Sequence, residues 1–118
     1  MDTLWDGIVF YDQIAQNNLH RDIRHVLLLH ENDMAALFLG SLIDRIRERG
    51  WTIIDPVRAY EDPISKMVPK TLLLQQGHVM ALAVDAGYAG PTGTQWEDTR
   101  ELKKFVESRR VFQKRESP

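Results

Sequence analysis

The sequence contains no cysteine among its 118 residues. Disulfide bonds, thiolate nucleophiles and cysteine-ligated metal sites are therefore excluded. It also lacks any apolar run near the roughly 20 residues that a membrane-spanning helix needs. The first ten residues, MDTLWDGIVF, carry two aspartates and no basic residue, unlike the positively charged start of a secretory signal. We expect no membrane partner, and a cytoplasmic location if the chain is complete.

An excess of charge of one sign is also missing, since the formal net charge is −2. No overall field therefore draws the chain to nucleic acid. The end of the chain is locally basic, but no aromatic set accompanies its lysines and arginines, which favours a solvated helix face over a nucleic-acid site. The length suits one domain, and we expect a single partial domain over 1–118 with a ragged tail from about 110.

Several catalytic motifs are absent as well. There is no GxxxxGK[ST] phosphate loop, no GxSxG nucleophile turn and no pair of histidines at the helical spacing of zinc hydrolases. None of the histidines lies beside a paired carboxylate motif; they are His20, His25, His30 and His78. We therefore expect no metal site formed by this chain alone.

What the sequence does contain is a distinctive stretch at 24–33, RHVLLLHEND. Its four apolar residues run directly into His30, a pattern typical of a strand over 24–30 that is buried on both faces. Side chains alternate along a strand, so Leu28 and His30 share one face. At the carboxyl end of the strand, His30 is either a general acid or base or a histidine that hydrogen-bonds a loop.

A helix is predicted immediately after this strand, reaching about residue 49. Asn32 or Asp33 can cap its N-terminus, and Gly50 suits the position just past its C-terminus. Residues 51–54 are typical of a second strand. Strand, helix and strand within about thirty residues form a βαβ unit, with parallel strands and a right-handed crossover.

The rest of the chain is predicted to be mostly helical, with helices over 3–17, 55–60, 71–86 and 98–109. A Gly-rich loop at 87–96 contains Tyr88 and Trp96, which suit either packing or stacking on a sugar. Two parallel strands cannot make a covered sheet. We therefore predict part of a larger α/β fold, whose missing strands lie on other sequence or on a second chain.

The ordered set of motifs in the first half of the chain resembles a known family. LLLH at 27–30, Gly-Trp at 50–51, TII at 52–54 and the turn AYEDP at 59–63 follow one another as in the C-terminal part of polysaccharide deacetylases. These are the NodB-homology enzymes, carbohydrate esterase family 4. The downstream stretch, from the helix predicted at Thr71 through GYAGPTGTQWED, also looks like the tail of bacterial members of this family, so the resemblance covers roughly residues 5–112.

This resemblance implies a fold and a chemistry. The chain would be the C-terminal βαβ-plus-helices portion of a distorted (β/α) barrel, and the reaction would be metal-dependent hydrolysis of acetyl groups on a sugar polymer. His30 would protonate the leaving group or help stabilise the oxyanion, and Leu28 would line the pocket for the acetate methyl group.

The family's other motifs are missing from the chain. It has no TFDD-like motif, no HxxxH-type pair of metal ligands and no matching Arg motif. A divalent metal such as zinc is therefore expected only in the complete family domain, and this chain, with neither metal nor base, is expected to be inactive alone.

The expected partners follow from these motifs. They are an acetylated polysaccharide and either a missing N-terminal half or a second copy of the chain. An active hydrolase completed by a partner chain is a further possibility. The other hypothesis is a non-catalytic accessory or interaction module, which pairs with itself or a partner through an exposed sheet edge.

Overall fold

The computed structural model describes residues 2–73 and 76–109. Five α-helices account for most of the regular structure, and they are α1 (Asp2–Ile14), α2 (Asp33–Glu48), α3 (Pro56–Tyr60), α4 (His78–Asp85) and α5 (Thr99–Ser108). A π-helical turn at Ala15–Leu19 extends α1, and short 3-10 turns lie at Pro63–Lys66 and Gln95–Glu97. None of the helices in these ranges is long and apolar enough to cross a membrane.

The predicted α/β fold is wrong, because the described residues contain helices but no strand and no sheet. Residues 24–30 and 51–54 lie outside the helices and form no ladder with each other. A short apolar run indicates residues that suit a buried strand. A strand forms, however, only where a second backbone accepts and donates its hydrogen bonds. The βαβ unit and the portion of a (β/α) barrel are therefore not present in this structure.

The predicted helix after residue 32 is confirmed as α2. Asn32 is its N-cap, with an extended backbone and a side-chain oxygen that accepts from the Ala35 N–H at 3.0 Å. Gly50 follows its end with a φ of +82°, a left-handed conformation that favours glycine. The predicted cap of α3 is also confirmed, since the Asp55 carboxylate accepts from the Val57 N–H at 2.8 Å.

The helix predicted over 71–86 is wrong in its first half. The regular helix α4 begins at His78, with Gly77 as an extended N-cap residue, and residues 74–75 lie outside the described part. The carboxylate of Asp85 accepts from the N–H groups of Lys70 and Thr71, at 2.6 and 3.0 Å. This side chain holds the start of the predicted helix in a loop, an interaction that helical periodicity does not reveal.

The helices at the two ends of the chain agree more closely with their predictions. Helix α1 continues through its π-helical turn and ends at His20, whose φ of +56° is left-handed. Helix α5 matches the segment predicted at 98–109, and Asp98 caps it by accepting from the Arg100 N–H at 2.9 Å. The predicted ragged tail from about 110 lies outside the described residues.

The best-packed region lies where α1 meets α4. Ile14, Met80 and Ala83 are buried together there, and Phe10 and Tyr11 of α1 pack against them. A second group of buried side chains comes from α2, α3 and the turn after α3, and consists of Leu42, Ile46, Ala59 and Ile64. The described residues contain more exposed large hydrophobic side chains than buried ones, so much apolar surface is left facing water.

Truncating Met80 should test the contact between α1 and α4. Met80 is fully buried, so Met80→Ala should lower the free energy of unfolding by about 2–5 kcal/mol through lost burial and the cavity left behind. Leu72 is 93% exposed, and Leu72→Ala should change it by less than about 0.5 kcal/mol. Urea unfolding measures both. Equal effects of the two substitutions would contradict the packing described here.

Candidate functional site

The apolar run at 26–29 is exposed to water rather than buried. The exposed fractions of its four side chains are 59% for Val26, 47% for Leu27, 84% for Leu28 and 39% for Leu29. We call these four residues the exposed apolar segment. Single apolar side chains are common on protein surfaces, but a contiguous set of this kind is typical of an interaction site.

The backbone of this stretch is also unpaired in the described part of the chain. Residues 25–31 take part in none of the backbone–backbone hydrogen bonds there. Buried peptide groups must be paired, whereas exposed ones can bind water. The stretch therefore presents hydrogen-bonding groups and apolar side chains on the same surface.

The two site residues predicted from sequence, Leu28 and His30, lie on or next to the exposed apolar segment. His30 is exposed at its end. No group of three or more histidine, aspartate or glutamate side chains in the described residues is placed to hold a metal ion. Leu28 and His30 are thus both exposed, two positions apart in the chain.

The start of the segment is fixed by the buried carboxylate of Asp62. One oxygen, Oδ1, accepts from Arg21 Nη2 at 2.7 Å and from the Ile64 N–H at 3.0 Å, and the other, Oδ2, accepts from the Arg24 N–H at 2.9 Å. Burial alone would raise the pKa of Asp62. The backbone N–H groups of Ile64 and Arg24, with the charges of Arg21 and Arg24, outweigh burial and hold that pKa below its usual range.

The side chain of Arg24 adds further bonds to the same turn. Its Nη1 donates to the carbonyl oxygen of Arg58 and to Glu61 Oε2, the latter at 3.3 Å. Glu61 and Asp62 belong to the AYEDP turn on which the family resemblance depends. The sequence indicated the turn but not its role. The turn holds Arg24, which lies two positions before the exposed apolar segment.

A second polar contact missed by the sequence joins His25 to α1. His25 Nε2 lies 3.0 Å from Asp12 Oδ1, and the imidazole ring is 5.5 Å from the ring of Trp51. Trp51 also meets Trp5 edge to face, with ring centroids 5.8 Å apart, and the Arg49 guanidinium lies over Trp5. No sequence pattern signalled these contacts, because the residues are far apart along the chain.

The Gly-rich loop is held by contacts within the chain. The Tyr11 hydroxyl lies 3.0 Å from Gln76 Oε1 and 2.7 Å from Glu97 Oε1. Burial first, and then the bond to the Glu97 carboxylate, raise the pKa of Tyr11. Trp96 packs edge to face on Phe105 with centroids 5.0 Å apart. These contacts favour packing over sugar stacking as the role of the loop.

A shallow depression of about 290 Å³ lies beside this aromatic pair. Its lining residues are Gln95, Trp96, Glu101, Lys104, Phe105 and Ser108. Lys104 donates to Glu101 at 2.7 Å, so the charged groups there already pair with each other. The depression contains neither Leu28 nor His30, and of the two loop aromatics considered for sugar stacking it contains Trp96 but not Tyr88.

Comparison of the chain with known protein families, with curated proteins and with solved structures gave no match. The likeness to polysaccharide deacetylases therefore depends on the motifs at 27–30, 50–54 and 59–63. Physically, the stretch at 25–31 offers apolar side chains, backbone groups that pair with no other described backbone, and the exposed imidazole of His30.

Asp62 should make the stability of the chain depend on pH in acid. Its folded-state pKa is lowered, so its stabilising contribution is present above the ordinary carboxyl pKa of about 3.9 and is lost as the pH falls through the folded value. Asp62→Asn should lower the free energy of unfolding by about 2 kcal/mol at neutral pH. It should also remove this residue's share of the stability that is lost as the pH falls below about 4 and through the lowered pKa of Asp62.

Urea unfolding at a series of pH values measures this effect. Asp22→Asn is the matched control, because Asp22 is exposed and lies in the same stretch of chain. An Asp62→Asn variant with the same acid dependence as the unaltered chain would contradict the assignment.

Proposed function

We propose that the chain is a catalytically incomplete component of a polysaccharide deacetylase-like hydrolase. In this proposal it contributes Leu28 and His30 to a site that another polypeptide completes. The proposal rests on the ordered motifs at 27–30, 50–54 and 59–63, and on the surface that carries Leu28 and His30.

The exposed apolar segment is the observation that carries this proposal. Four adjacent apolar side chains lie in water, and the described residues provide nothing that covers them. Burying apolar surface contributes about 25 cal/mol per Å² to binding. A second polypeptide that covers these side chains is therefore stabilised in a position next to His30. This supports a site built from two polypeptides.

The chemistry assigned to the two residues follows from their types. An imidazole can act as a general acid and pass a proton to the sugar nitrogen or oxygen that leaves as the acetyl group is removed. Leu28 offers an apolar surface for the acetate methyl group. The chain lacks the family's TFDD and HxxxH motifs, so the metal and the general base belong in this proposal to the completing polypeptide.

Acetate release from an acetylated chitooligosaccharide tests the proposal. The chain alone, with Zn²⁺ or Co²⁺ added, should release no acetate, and addition of a polypeptide carrying the TFDD and HxxxH motifs should produce release. His30→Ala should then lower the rate by about 100-fold or more, the range expected for loss of a general acid.

His20→Asn is the matched control for this experiment. His20 is exposed and left-handed, a conformation that asparagine tolerates, and it lies ten positions before His30. This substitution should leave the complemented rate unchanged. Release that survives His30→Ala would remove His30 from the mechanism, and failure of every complementing polypeptide would argue against the hydrolase component.

A non-catalytic interaction module is the second candidate. The exposed sheet edge expected for it does not exist in the described residues, which contain no sheet. Its supporting observation is the unpaired backbone over 25–31 together with the exposed apolar segment. In this form the module binds another polypeptide through the stretch itself.

A further inference from the structure

We propose that residues 26–31 are a processing site, at which an endoprotease with an apolar specificity pocket cuts the folded chain between Leu28 and Leu29. The inference goes beyond both candidate functions and depends on neither. It rests on the path of the backbone, on the alternating exposure of the side chains and on the contacts that hold the stretch at its two ends.

The backbone of this stretch is free to bind a protease. Residues 22–31 contain neither a turn nor a bend, and residues 25–31 make no backbone–backbone hydrogen bond in the described part of the chain. A cleft that recognises an extended peptide pairs with such N–H and C=O groups as with an added strand. The groups that a protease needs are therefore available without prior unfolding.

Exposed side chains on helices do not offer the same access. A peptide bond inside a helix enters an extended cleft only after local unfolding, and its cleavage then depends on how often the helix opens. Phe38 of α2 and Tyr60 of α3 are exposed aromatic residues of this kind. Exposure of a side chain is therefore not sufficient, and the path of the backbone decides which bond is cut.

The side chains of the stretch select the bond. Those at 26 and 28 are more exposed than those at 27 and 29. Alternate side chains of an extended backbone share one side, so Val26 and Leu28 form the more open side of the stretch. Leu28 is the most exposed residue of the run and enters the apolar pocket, which places the cut directly after it.

Contacts at both ends keep the stretch in this form. At its start, the Asp62 carboxylate accepts from the Arg24 N–H at 2.9 Å. At its end, the side chain of Asn32 accepts from the Ala35 N–H and caps α2. Residues 26–31 lie between these contacts and can span about 20 Å at the rise of an extended chain. The scissile bond is therefore presented to solvent between two fixed points.

The reaction is hydrolysis of one peptide bond. The bond between the Leu28 carbonyl carbon and the Leu29 nitrogen breaks. Water supplies the hydroxyl group of the new carboxyl end and the hydrogen of the new amino end, and nothing is oxidised or reduced.

The two pieces, 1–28 and 29–118, are held together by contacts that the cut does not touch. Ile14 of the first piece is buried with Met80 of the second. Two arginines that precede the cut also donate to the carboxylate of Asp62, which follows it. The cut protein should therefore elute from a gel-filtration column as one species and separate into its pieces only in urea. Separation without urea would contradict this arrangement.

Brief treatment of the full chain with chymotrypsin, followed by mass spectrometry of the products, tests the position of the cut. The apolar pocket of chymotrypsin accepts aromatic residues and leucine before the scissile bond, so its sequence preference alone favours Phe38 and Tyr60. The first cut should nevertheless fall after Leu28. A first cut at any other bond would overturn the assignment.

Two lysine variants separate the effect of the backbone from that of the side chain. Leu72 is more exposed than Leu28, but the N–H groups of Lys70 and Thr71 just before it are bound by Asp85. Trypsin cuts after lysine, so Leu28→Lys and Leu72→Lys give the two positions the same specificity residue.

The bond after position 28 should be cut by trypsin about tenfold or more faster than the bond after position 72, because the second site must first break hydrogen bonds to a carboxylate. Both substitutions replace exposed residues and should keep the helical circular dichroism spectrum. Equal rates at the two positions would overturn the proposal.

The dependence of the rate on concentration tests whether a second copy of the chain covers the stretch. The rate constant for the cut after Leu28 should be the same at nanomolar and micromolar chain, relative to a trace of reporter peptide that corrects for saturation of the protease. A rate constant that falls with rising chain concentration would show that another copy occupies the stretch, and would overturn the proposal.

The cut places Leu28 and His30 on different pieces. In the proposed hydrolase it would divide the site, and this consequence alone rests on the proposed function. Acetate release is measured on the uncut chain with no protease present. Failure of the hydrolase role therefore leaves the processing site in place, and failure of the cut leaves the hydrolase role in place.

Discussion

The carboxylate of Asp62 is the interaction on which the arrangement of the middle of the chain depends. Its two oxygens join Arg21 and Arg24 to Ile64, and thus fix the approach to the exposed apolar segment against the turn that follows α3. A carboxylate removed from water is tolerated only when it is paired in this way. The backbone is therefore held in place at Arg24, and the side chains that follow it at 26–29 are exposed.

The helices were largely predictable because their signals are local. Asn32 caps α2, Asp55 caps α3 and Gly50 takes a left-handed conformation just after α2. Each of these depends on bonds or backbone angles within a few residues, which the sequence displays directly. The helix predicted from residue 71 begins only at His78, and before it the carboxylate of Asp85 accepts from the N–H groups of Lys70 and Thr71, a contact across 14 or more positions that local patterns do not show.

The strands and the site were not predictable by the same reasoning. The run at 26–29 predicted a buried strand, and that prediction is wrong because no local pattern shows whether the chain itself supplies the cover. The bond from Arg24 to Asp62 spans 38 positions, and the contact of His25 with Asp12 spans 13. Such pairs form only in the folded chain, so the sequence does not display them. His30 is exposed and belongs to neither contact, and only its place in the sequence suggested a role.

The contact between His25 and Trp51 has a spectroscopic consequence. The chain contains three tryptophans, and two of them, Trp5 and Trp51, meet each other beside this imidazole. Their indole emission depends on the neighbouring ring, on its distance and on access of water. Two of the protein's three intrinsic fluorophores thus lie beside His25, in the stretch that begins at Arg24, and a change in that contact alters part of the emission without any attached dye.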